Sequence, residues 1–365
     1  MFCLQKIRIA VFFGGVSSEH EVSCMSAAYI LRTLSHMEKY DVLPVGITKD
    51  GRWLLYRGPV DALPNGSWQN HEQNQTAILS PDRSHRGLLL PCENGHWDFL
   101  PIDLAFPVLH GKNGEDGTIQ GLFQLADLPF VGCDTASSAA CMDKVMTNVM
   151  LQHAGIPQAR FTWIYDWEFT RHPEDCLDRI EAALPAHPYF VKPANAGSSV
   201  GVSRADNREQ LRRGIRTAAK EDGKILVEEG IDGQEVECAV LGNEDTLASL
   251  PGEIAPSNEF YDYDAKYLSG ASKLFIPAHI DDATSSLLRE YAQKAYHAMG
   301  CTGLARVDFF VRKSDGAVLL NELNTLPGFT AISMYPKLME ACGIGGEALM
   351  ERLIALALDR RNRHE

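Results

Sequence analysis

Apolar residues recur in short blocks along the first third of this chain, and polar stretches separate them. Residues 7–13 and 42–48 predict strands, the segment 22–34 predicts a helix, and apolar runs at 88–90 and 104–109 predict two further strands. Strands that alternate with helices are typical of an open parallel sheet, which binds ligands beyond the carboxyl ends of its strands. Glu19 and His110 follow predicted strands at such ends, so both are candidates for a binding site.

The remaining chain predicts an α/β protein with further domains. A helix opens near residue 135 and continues to 153, where the sequence Gly-Ile-Pro ends it, and more helices are predicted around 206–221 and at 345–358. The expected domains are 1–135, an N-terminal α/β unit with the open parallel sheet; 136–233, a central unit; and 234–365, a C-terminal unit.

Two segments lack the periodicity of regular structure. Residues 61–86 are rich in Asn, Gln, His, Ser and Pro, which predicts a variable surface excursion. Residues 252–273 show little apolar periodicity but carry Tyr, Asp and Lys, so we interpret them as a mobile functional loop.

Two predicted strands near the C-terminus, at 305–310 and around 320–326, carry oxygen-bearing side chains on alternate positions. Asp308 lies on the first strand, and Glu322 and Asn324 lie on the second. Carboxylate and amide oxygens are ligands that Mg²⁺ prefers. A solvated outer face of an antiparallel hairpin is the alternative interpretation.

The turn between these strands decides whether the ligands meet. A two-residue turn at 315–316 would place Asp308 on the wrong face relative to Glu322. A three-residue loop at 314–316, with Gly316 in the left-handed conformation, pairs Asp308 with Glu322 and Arg306 with Asn324. We predict the second register, which puts three oxygen ligands and an arginine on one face.

Mg²⁺ held by so few protein groups usually completes its shell with water and phosphate oxygens, so a nucleotide is implied. The chain has no G-x-x-x-x-G-K-[ST] motif, and residues 14–19 do not form the dinucleotide fingerprint. Lys192 ends a short strand before a Gly- and Ser-rich turn, which suits an anion, although a plain hairpin turn would look the same. The carboxylates of Glu228, Glu229 and Glu235 could accept hydrogen bonds from an adenine amino group and a ribose diol. A solvated strand end is the alternative interpretation.

Composition narrows the possible functions. The chain has 34 Lys and Arg against 48 Asp and Glu, a net charge of -14, which argues against a nucleic-acid partner. Its nine cysteines are scattered and never spaced C-x-x-C, so neither a disulfide framework nor a zinc site is predicted. Reduced thiols in a cytoplasmic protein are the expectation. The apolar run at 7–13 is too short for a signal core, and no run reaches the length of a membrane-spanning helix.

Six ordered motifs together resemble the ATP-grasp enzymes and, within them, the D-alanine–D-alanine ligases. The motifs lie at residues 12–23 (FFGGVSSEHEVS), 110–117 (HGKNGEDG), 141–144 (CMDK), 192–201, 260–267 (FYDYDAKY) and the proposed metal hairpin. The resemblance covers essentially the whole chain. It implies a three-domain ATP-grasp architecture with an ATP site between the central and C-terminal domains.

The resemblance also implies a reaction. ATP would phosphorylate the carboxylate of one D-alanine, and the amine of a second would attack the acyl phosphate, giving D-alanyl-D-alanine for peptidoglycan precursors. The implied cofactors are ATP and two Mg²⁺ (or Mn²⁺) ions. A homodimer in the cytoplasm, with no nucleic-acid partner and no membrane insertion, is expected.

The roles of individual residues follow from the same resemblance. The implied ATP-binding residues are Lys144, Lys192, Ser199, Glu228, Glu229, Glu235 and Lys266. The implied metal ligands are Asp308, Glu322 and Asn324. The implied substrate-binding residues are Glu19, His110, Arg306, Gly328, Ser333 and Met334. The implied catalytic residues are Glu19, Ser198, Tyr267, Arg306, Gly328 and Ser333. Glu19 would bind the first ammonium group and would be linked by hydrogen bonds to Ser198 and Tyr267.

Some neighbouring residues receive structural interpretations. His110 has a structural hydrogen bond at a strand end as its alternative role. Glu115 and Asp116 are expected to anchor a turn and the following helix. Asn321 is expected on the opposite face of its strand, outside the site.

Three rival functions are weighed. Another ATP-grasp ligase would share the hairpin and lysines but not residues 19–23 or the 261–267 loop. A non-catalytic ATP-binding regulator would be expected to have lost Arg306, a metal ligand or a phosphate lysine. A D-alanine–D-serine or D-alanine–D-lactate ligase is closer, because residues 131–134 and 141–144 also occur in the vancomycin-resistance branch. Tyr267 favours D-alanine as the second substrate, since a histidine in this loop is associated with D-lactate.

Overall fold

The computed structural model describes residues 6–93, 95–184, 187–255, 273–330 and 332–362. The strands are β1 (Ile7–Gly14), β2 (Tyr40–Ile47), β3 (Trp53–Leu55), β4 (Gln75–Thr76), β5 (Ile78–Leu79), β6 (Gly87–Pro91), β7 (Trp97–Pro101), β8 (Leu104–Pro107), β9 (Phe161–Tyr165), β10 (Tyr189–Pro193), β11 (Ser203–Ala205), β12 (Lys224–Glu229), β13 (Gly233–Gly242), β14 (Thr246–Ala248), β15 (Gly252–Ala255), β16 (Lys273–Phe275), β17 (Gly303–Arg312) and β18 (Val318–Asn324). The helices are α1 (His20–Ser35), α2 (Thr118–Leu125), α3 (Thr135–Met142), α4 (Lys144–His153), α5 (Asp166–Arg171), α6 (Pro173–Ala183), α7 (Arg208–Ala218), α8 (Asp282–Ala298), α9 (Met334–Ala341) and α10 (Gly346–Asn362).

The N-terminal sheet has the strand order β4-β3-β2-β1-β8. Strand β1 pairs in parallel with β2 and β8, as predicted, whereas β3 and β4 extend the sheet in antiparallel fashion. The predicted strand at 88–90 is β6, but it belongs to a separate antiparallel sheet, β5-β6-β7. Its assignment to the parallel sheet was therefore wrong, because a short hairpin pairs β6 with β7 instead.

The segment 61–86 is not a simple surface excursion. Trp68 is fully buried there, and its ring lies 4.8 Å from the ring of Phe13, centre to centre. Gly46 lets the indole approach the sheet, since a Cβ at this position would lie 2.2 Å from a Trp68 ring carbon. The segment therefore contributes a large side chain to the N-terminal core, which its polar composition did not indicate.

The predicted helix from 135 to 153 is two helices, α3 and α4, interrupted at Asp143. The Asp143 carboxylate accepts hydrogen bonds from the backbone N–H groups of Val145 and Met146, which caps α4. Both helices pack against the C-terminal sheet, where Cys141 and Leu151 share a core with strands β17 and β18. The break directs Lys144, the first residue of α4, toward the central sheet.

Two more antiparallel sheets complete the fold. The central sheet has the order β11-β10-β12-β9, with α6 and α7 packed on one face. The C-terminal sheet has the order β16-β15-β13-β17-β18, and β14 pairs with β13. The predicted loop at 252–273 is strand at both ends, in β15 and at the start of β16. Its interior, with Lys266 and Tyr267, lies outside the described residues.

Two general properties concern the cysteines and the helices. The eight cysteines in the described part of the chain are free thiols. Among the described helices, none has both the length and the hydropathy that crossing a membrane requires. The expected domain boundaries at 135/136 and 233/234 stay a prediction.

Candidate active site

A cleft of about 2040 Å³ opens between the central and C-terminal sheets and reaches the N-terminal part of the chain. Most of the predicted site residues line it: Glu19, Lys144, Lys192, Ser198, Ser199, Glu228, Glu229, Glu235, Arg306, Glu322, Asn324, Gly328, Ser333 and Met334. Asp308 and His110 are buried behind this surface. The structure thus brings together residues that are up to 315 positions apart between Glu19 and Met334.

The proposed metal hairpin has the predicted pairs, Asp308 with Glu322 and Arg306 with Asn324. The predicted turn is wrong by one position. The Gly316 N–H donates to Arg312 O (2.8 Å), and between the turn and Phe309 the strands pair one residue away from the predicted register. Gly316 is left-handed, as expected (φ 72°). A β-bulge between Asp308 and Phe309 then restores the ligand register.

This bulge corrects a second expectation. Asn321 is the extra residue that the bulge accommodates on β18, and it lines the cleft. Lys192 Nζ lies 3.4 Å from Asn321 Oδ1 and donates to it. The assignment of Asn321 to the opposite face was therefore wrong, because strict alternation fails at a bulge.

Arg306 is held by two carboxylates. Its Nε and Nη2 donate to the two oxygens of Asp308 at 2.7 and 2.6 Å. Its Nε also lies 3.0 Å from Glu237 Oε2. The three side chains are 15%, 13% and 8% exposed for Arg306, Asp308 and Glu237, so these contacts are largely shielded from solvent.

The hairpin residues fit a divalent cation of the Mg²⁺ type. In the described ranges, no group of three His, Cys, Asp or Glu side chains is arranged to hold a metal. The predicted set instead has two carboxylates that are cross-strand partners, Asp308 and Glu322, and the amide of Asn324. Such an all-oxygen, incomplete set is the kind that Mg²⁺ uses when water and phosphate oxygens complete its shell.

Lys192 projects from β10 into the cleft. Its Nζ lies 2.6 Å from Glu228 Oε2, and the other Glu228 oxygen accepts a hydrogen bond from Asn148 Nδ2 at 2.9 Å. Burial lowers the pKa of Lys192, but the carboxylates of Glu228, Glu322 and Glu235 outweigh it, so the pKa is raised and the lysine is cationic.

Lys144 reaches the cleft from the start of α4. Its Nζ donates to Ala196 O at 2.7 Å and lies 3.9 Å from Glu322 Oε2. Lys144 and Lys192 therefore present two positive charges near the same carboxylate, which favours an anionic ligand between them.

Glu19 meets the turn after β10. Ser198 Oγ donates a hydrogen bond to Glu19 Oε1, as predicted. Ser198 and Ser199 both have positive φ, 49° and 60°, which is uncommon outside glycine. A Cβ at Gly197 would lie 2.7 Å from Glu19 Oε2, so a larger residue there would displace the Glu19 carboxylate.

His110 is buried beside a second carboxylate. Its Nδ1 lies 2.9 Å from Leu326 O and 3.5 Å from Glu115 Oε1, and its Nε2 lies 3.1 Å from Ser26 Oγ. Burial lowers the pKa of His110, but Glu115 and Glu19 outweigh it and the pKa is raised. Glu115 also lines the cleft, so it is more than a turn anchor.

The start of α9 also lines the cleft. Ser333 precedes the helix, and Met334 is its first residue. The first N–H groups of a helix have no intrahelical acceptor and favour anions. Ser333 Oγ accepts from the Thr330 N–H at 3.0 Å, and a Cβ at Gly328 would lie 2.9 Å from that oxygen.

Sequence reasoning missed Glu237, Asn148 and Asn321 as site residues. Glu237 had a signal, because it lies two positions after Glu235 on the same strand and therefore on the same face. Asn148 had none, since a lone polar residue in an amphipathic helix does not indicate a buried partner.

The fold and cleft define an ATP-grasp protein: two sheets enclose a site with lysines on one side and oxygen ligands on the other. Two family models match, "D-ala D-ala ligase N-terminus" over residues 8–133 and "D-ala D-ala ligase C-terminus" over residues 150–355. The chain therefore belongs to the D-alanine–D-alanine ligase family, and the predicted fold class is confirmed.

Individual relatives agree with this family. The chain is 49% identical to a D-alanine–D-alanine ligase from Acetivibrio thermocellus over 98% of this chain and 97% of that protein. It is 47% identical to one from Caldicellulosiruptor bescii over 98% and 96%. Among solved structures, the VanG D-Ala:D-Ser ligase from Enterococcus faecalis has a TM-score of 0.88 at 40% identity, covering 97% of this chain and 100% of that one. The D-alanine–D-alanine ligase from Coxiella burnetii has a TM-score of 0.82 at 33% identity, covering 98% and 97%.

Proposed function

We propose that this protein joins two D-alanine molecules at the expense of ATP, through a D-alanyl phosphate. The observation that carries the proposal is the arrangement of one cleft. Lys144, Lys192 and Glu322 line it together, with Asp308 paired to Glu322 just behind the surface, and Glu19 and the start of α9 line the same cleft. One cleft therefore combines phosphate-binding lysines with an ammonium-binding carboxylate and a carboxylate-binding helix start.

ATP occupies the part of the cleft between the two sheets. Lys144 and Lys192 contact its phosphates, and the Ser199 turn adds backbone N–H groups. Glu228, Glu229 and Glu235 receive the adenine and ribose. Glu228 already accepts from Lys192 and Asn148, and its remaining lone pairs can accept from the adenine amino group. Lys266, beyond the described residues, is assigned to the transferred phosphate.

Asp308, Glu322 and Asn324 would hold Mg²⁺ or Mn²⁺. When bound, the cation neutralises phosphate charge during phosphoryl transfer. Two ions, rather than one, are part of the proposal, and these three side chains would hold them.

The two D-alanines bind in the same cleft as the phosphates. Glu19, supported by Ser198 and near His110, binds the first ammonium group. Ser333 and the Met334 N–H bind the second carboxylate. The amine of the second D-alanine attacks the acyl phosphate carbon, forms the C–N bond and loses a proton, and phosphate then leaves with the electrons of the C–O bond.

Arg306 and the Gly328 N–H are assigned to the oxyanion of this tetrahedral step. One such donor typically contributes about 3–4 kcal/mol to transition-state stabilisation. The contacts of Arg306 with Glu237 and Asp308 support this role, because they fix the guanidinium before substrate binds.

D-serine as the second substrate is the alternative, and the similarity to the Enterococcus faecalis D-Ala:D-Ser ligase supports it. The higher identity to D-alanine–D-alanine ligases favours D-alanine. Tyr267 is assigned to the substrate loop and argues against D-lactate, since a neutral phenol does not repel the ammonium group of an incoming D-alanine, which attacks as the amine after losing a proton.

A competition assay tests the proposal. Purified protein is incubated with ATP, Mg²⁺ and equal concentrations of D-alanine, D-serine and D-lactate, and the products are identified by mass spectrometry between pH 6 and 9. D-Alanyl-D-alanine should predominate. Predominant D-alanyl-D-serine would move the assignment to the alternative, and an absence of ATP-dependent product would refute ligase activity.

The cellular location and the oligomeric state are also part of this proposal. The protein is expected to work in the cytoplasm, where ATP and free thiols are maintained, and as a homodimer. Sedimentation velocity at micromolar concentration tests the second point, and a single species at the mass of one chain would contradict it.

A further inference from the structure

Glu237 is a buried carboxylate that the roles above leave unassigned. It lies on β13, opposite Asp308 of β17, while the next position on the same face, Ala239, lies opposite Arg306. Its side chain is 8% exposed and lines the cleft. A carboxylate with so little access to water costs free energy unless a cation compensates it, and Arg306 is that cation here.

The Arg306 guanidinium is shared unequally. Both oxygens of Asp308 accept hydrogen bonds from it, at 2.7 and 2.6 Å, whereas Glu237 Oε2 lies 3.0 Å from Nε without taking its hydrogen. Asp308 is also an assigned metal ligand, so arginine and metal compete for the same carboxylate. A divalent cation bound at Asp308 would repel the Arg306 guanidinium. A second carboxylate near the guanidinium, such as Glu237, offsets this repulsion.

We propose that Glu237 is a positioning residue that holds Arg306 when Asp308 binds the metal, an inference that rests on the proposed function. Glu237 gives the guanidinium an anionic partner on the neighbouring strand. It thereby keeps Arg306 near the oxyanion position and leaves Asp308 oxygen lone pairs for the cation. It also adds a negative charge that attracts the cation to the cleft.

The substitution Glu237→Gln keeps the side-chain size and removes the charge. Residues that support metal ligands typically change metal affinity or activity about 10–100-fold when they are replaced. We expect Mn²⁺ to bind about tenfold more weakly. Of the two carboxylates, only Asp308 then remains to pair with Arg306, and Asp308 must also bind the metal. We expect kcat at saturating metal to fall by about 10–100-fold, with the KM for ATP changed by less than about threefold.

Two further variants make the test specific. Glu237→Asp retains a carboxylate on a shorter side chain and should restore part of both properties. Asp61→Asn removes one charge from an exposed pair with Arg32, where the side chains are 85% and 53% exposed and neither lines the cleft, and should leave both properties within about twofold.

Mn²⁺ affinity is measured by electron paramagnetic resonance in the presence of ADP, and unfolding by urea is measured on the same samples. A folded Glu237→Gln protein with wild-type Mn²⁺ affinity would overturn the inference. This holds even if the variant is less stable, because a loss of stability alone would show only a structural role for Glu237. The binding measurement separates the two proposals. If the wild-type protein forms no dipeptide, the proposed function fails, while Mn²⁺ affinity still decides the role of Glu237.

Discussion

Replacing Lys192 with Met should destabilise the fold as well as weaken nucleotide binding. The side chain is 16% exposed and its Nζ lies 2.6 Å from Glu228 Oε2, whose side chain is 9% exposed. Removing one partner of a buried ion pair typically costs 3–5 kcal/mol, because the other charge stays buried. Asn148 still donates to Glu228, so we expect the lower end, about 3 kcal/mol.

The double variant Lys192→Met, Glu228→Gln isolates this cost. The neutral amide still accepts a hydrogen bond from Asn148 and leaves no buried charge. We expect it to recover about 1–2 kcal/mol relative to Lys192→Met, within the usual range for coupled neighbours. Urea unfolding, followed by tryptophan fluorescence without nucleotide, measures both differences.

Nucleotide binding is measured on the same variants through its effect on stability. ATP at 100 times the wild-type Kd stabilises the wild-type protein by about 2.7 kcal/mol. A charge-assisted hydrogen bond contributes about 1.5–3 kcal/mol, so its loss raises the Kd roughly 10–100-fold. At the same ATP concentration, Lys192→Met should gain about 0.4–1.4 kcal/mol. A Lys192→Met protein as stable as wild type without ATP, and equally stabilised by it, would refute both parts of the reasoning.

Three other predictions concern the metal ligands, a buried histidine and the N-terminal core. Glu322→Gln should reduce turnover by orders of magnitude at limiting Mg²⁺ with an unchanged circular dichroism spectrum, and near-normal turnover would contradict the metal site. The raised pKa of His110 adds stability that is complete below the unfolded pKa of about 6.5 and is lost as pH rises through the folded pKa. The difference in unfolding free energy between wild type and His110→Gln should therefore shrink from pH 6 to 9, and less steeply in a Glu115→Gln background; a pH-independent difference would refute this. Trp68→Ala should cost about 3–5 kcal/mol in urea unfolding, and a cost below 1 kcal/mol would mean that residues 61–86 do not belong to the core.

The alternation of side chains along the strands predicted the residue pairs of the proposed metal hairpin but not its turn. The pairs Asp308–Glu322 and Arg306–Asn324 were predicted, since only that register puts the polar positions on one face. The turn and the β-bulge that produce this register were not predicted. The turn is shifted by one residue, and a bulge beside the buried Phe309 compensates, which the turn sequence alone does not indicate.

The missed contacts have a common cause. Glu237, Asn148 and Asn321 act through partners that are distant in sequence, such as the 80 positions between Asn148 and Glu228. Trp68 was missed for a similar reason, because a single large apolar residue in a polar stretch leaves no period. Burial at such positions is decided by what the rest of the chain places opposite them.

The sequence by itself determined the chemistry: the oxygen ligands on alternate positions of two strands, the lysine before a small-residue turn, and the family that its ordered motifs resemble. These are local features, and local backbone geometry is enough to express them. Only the tertiary structure decided which charges share a partner, so that Lys192 pairs with Glu228 and Arg306 lies between Asp308 and Glu237. Pairing depends on distance and on exclusion of water, and both arise when separate sheets close around one cleft.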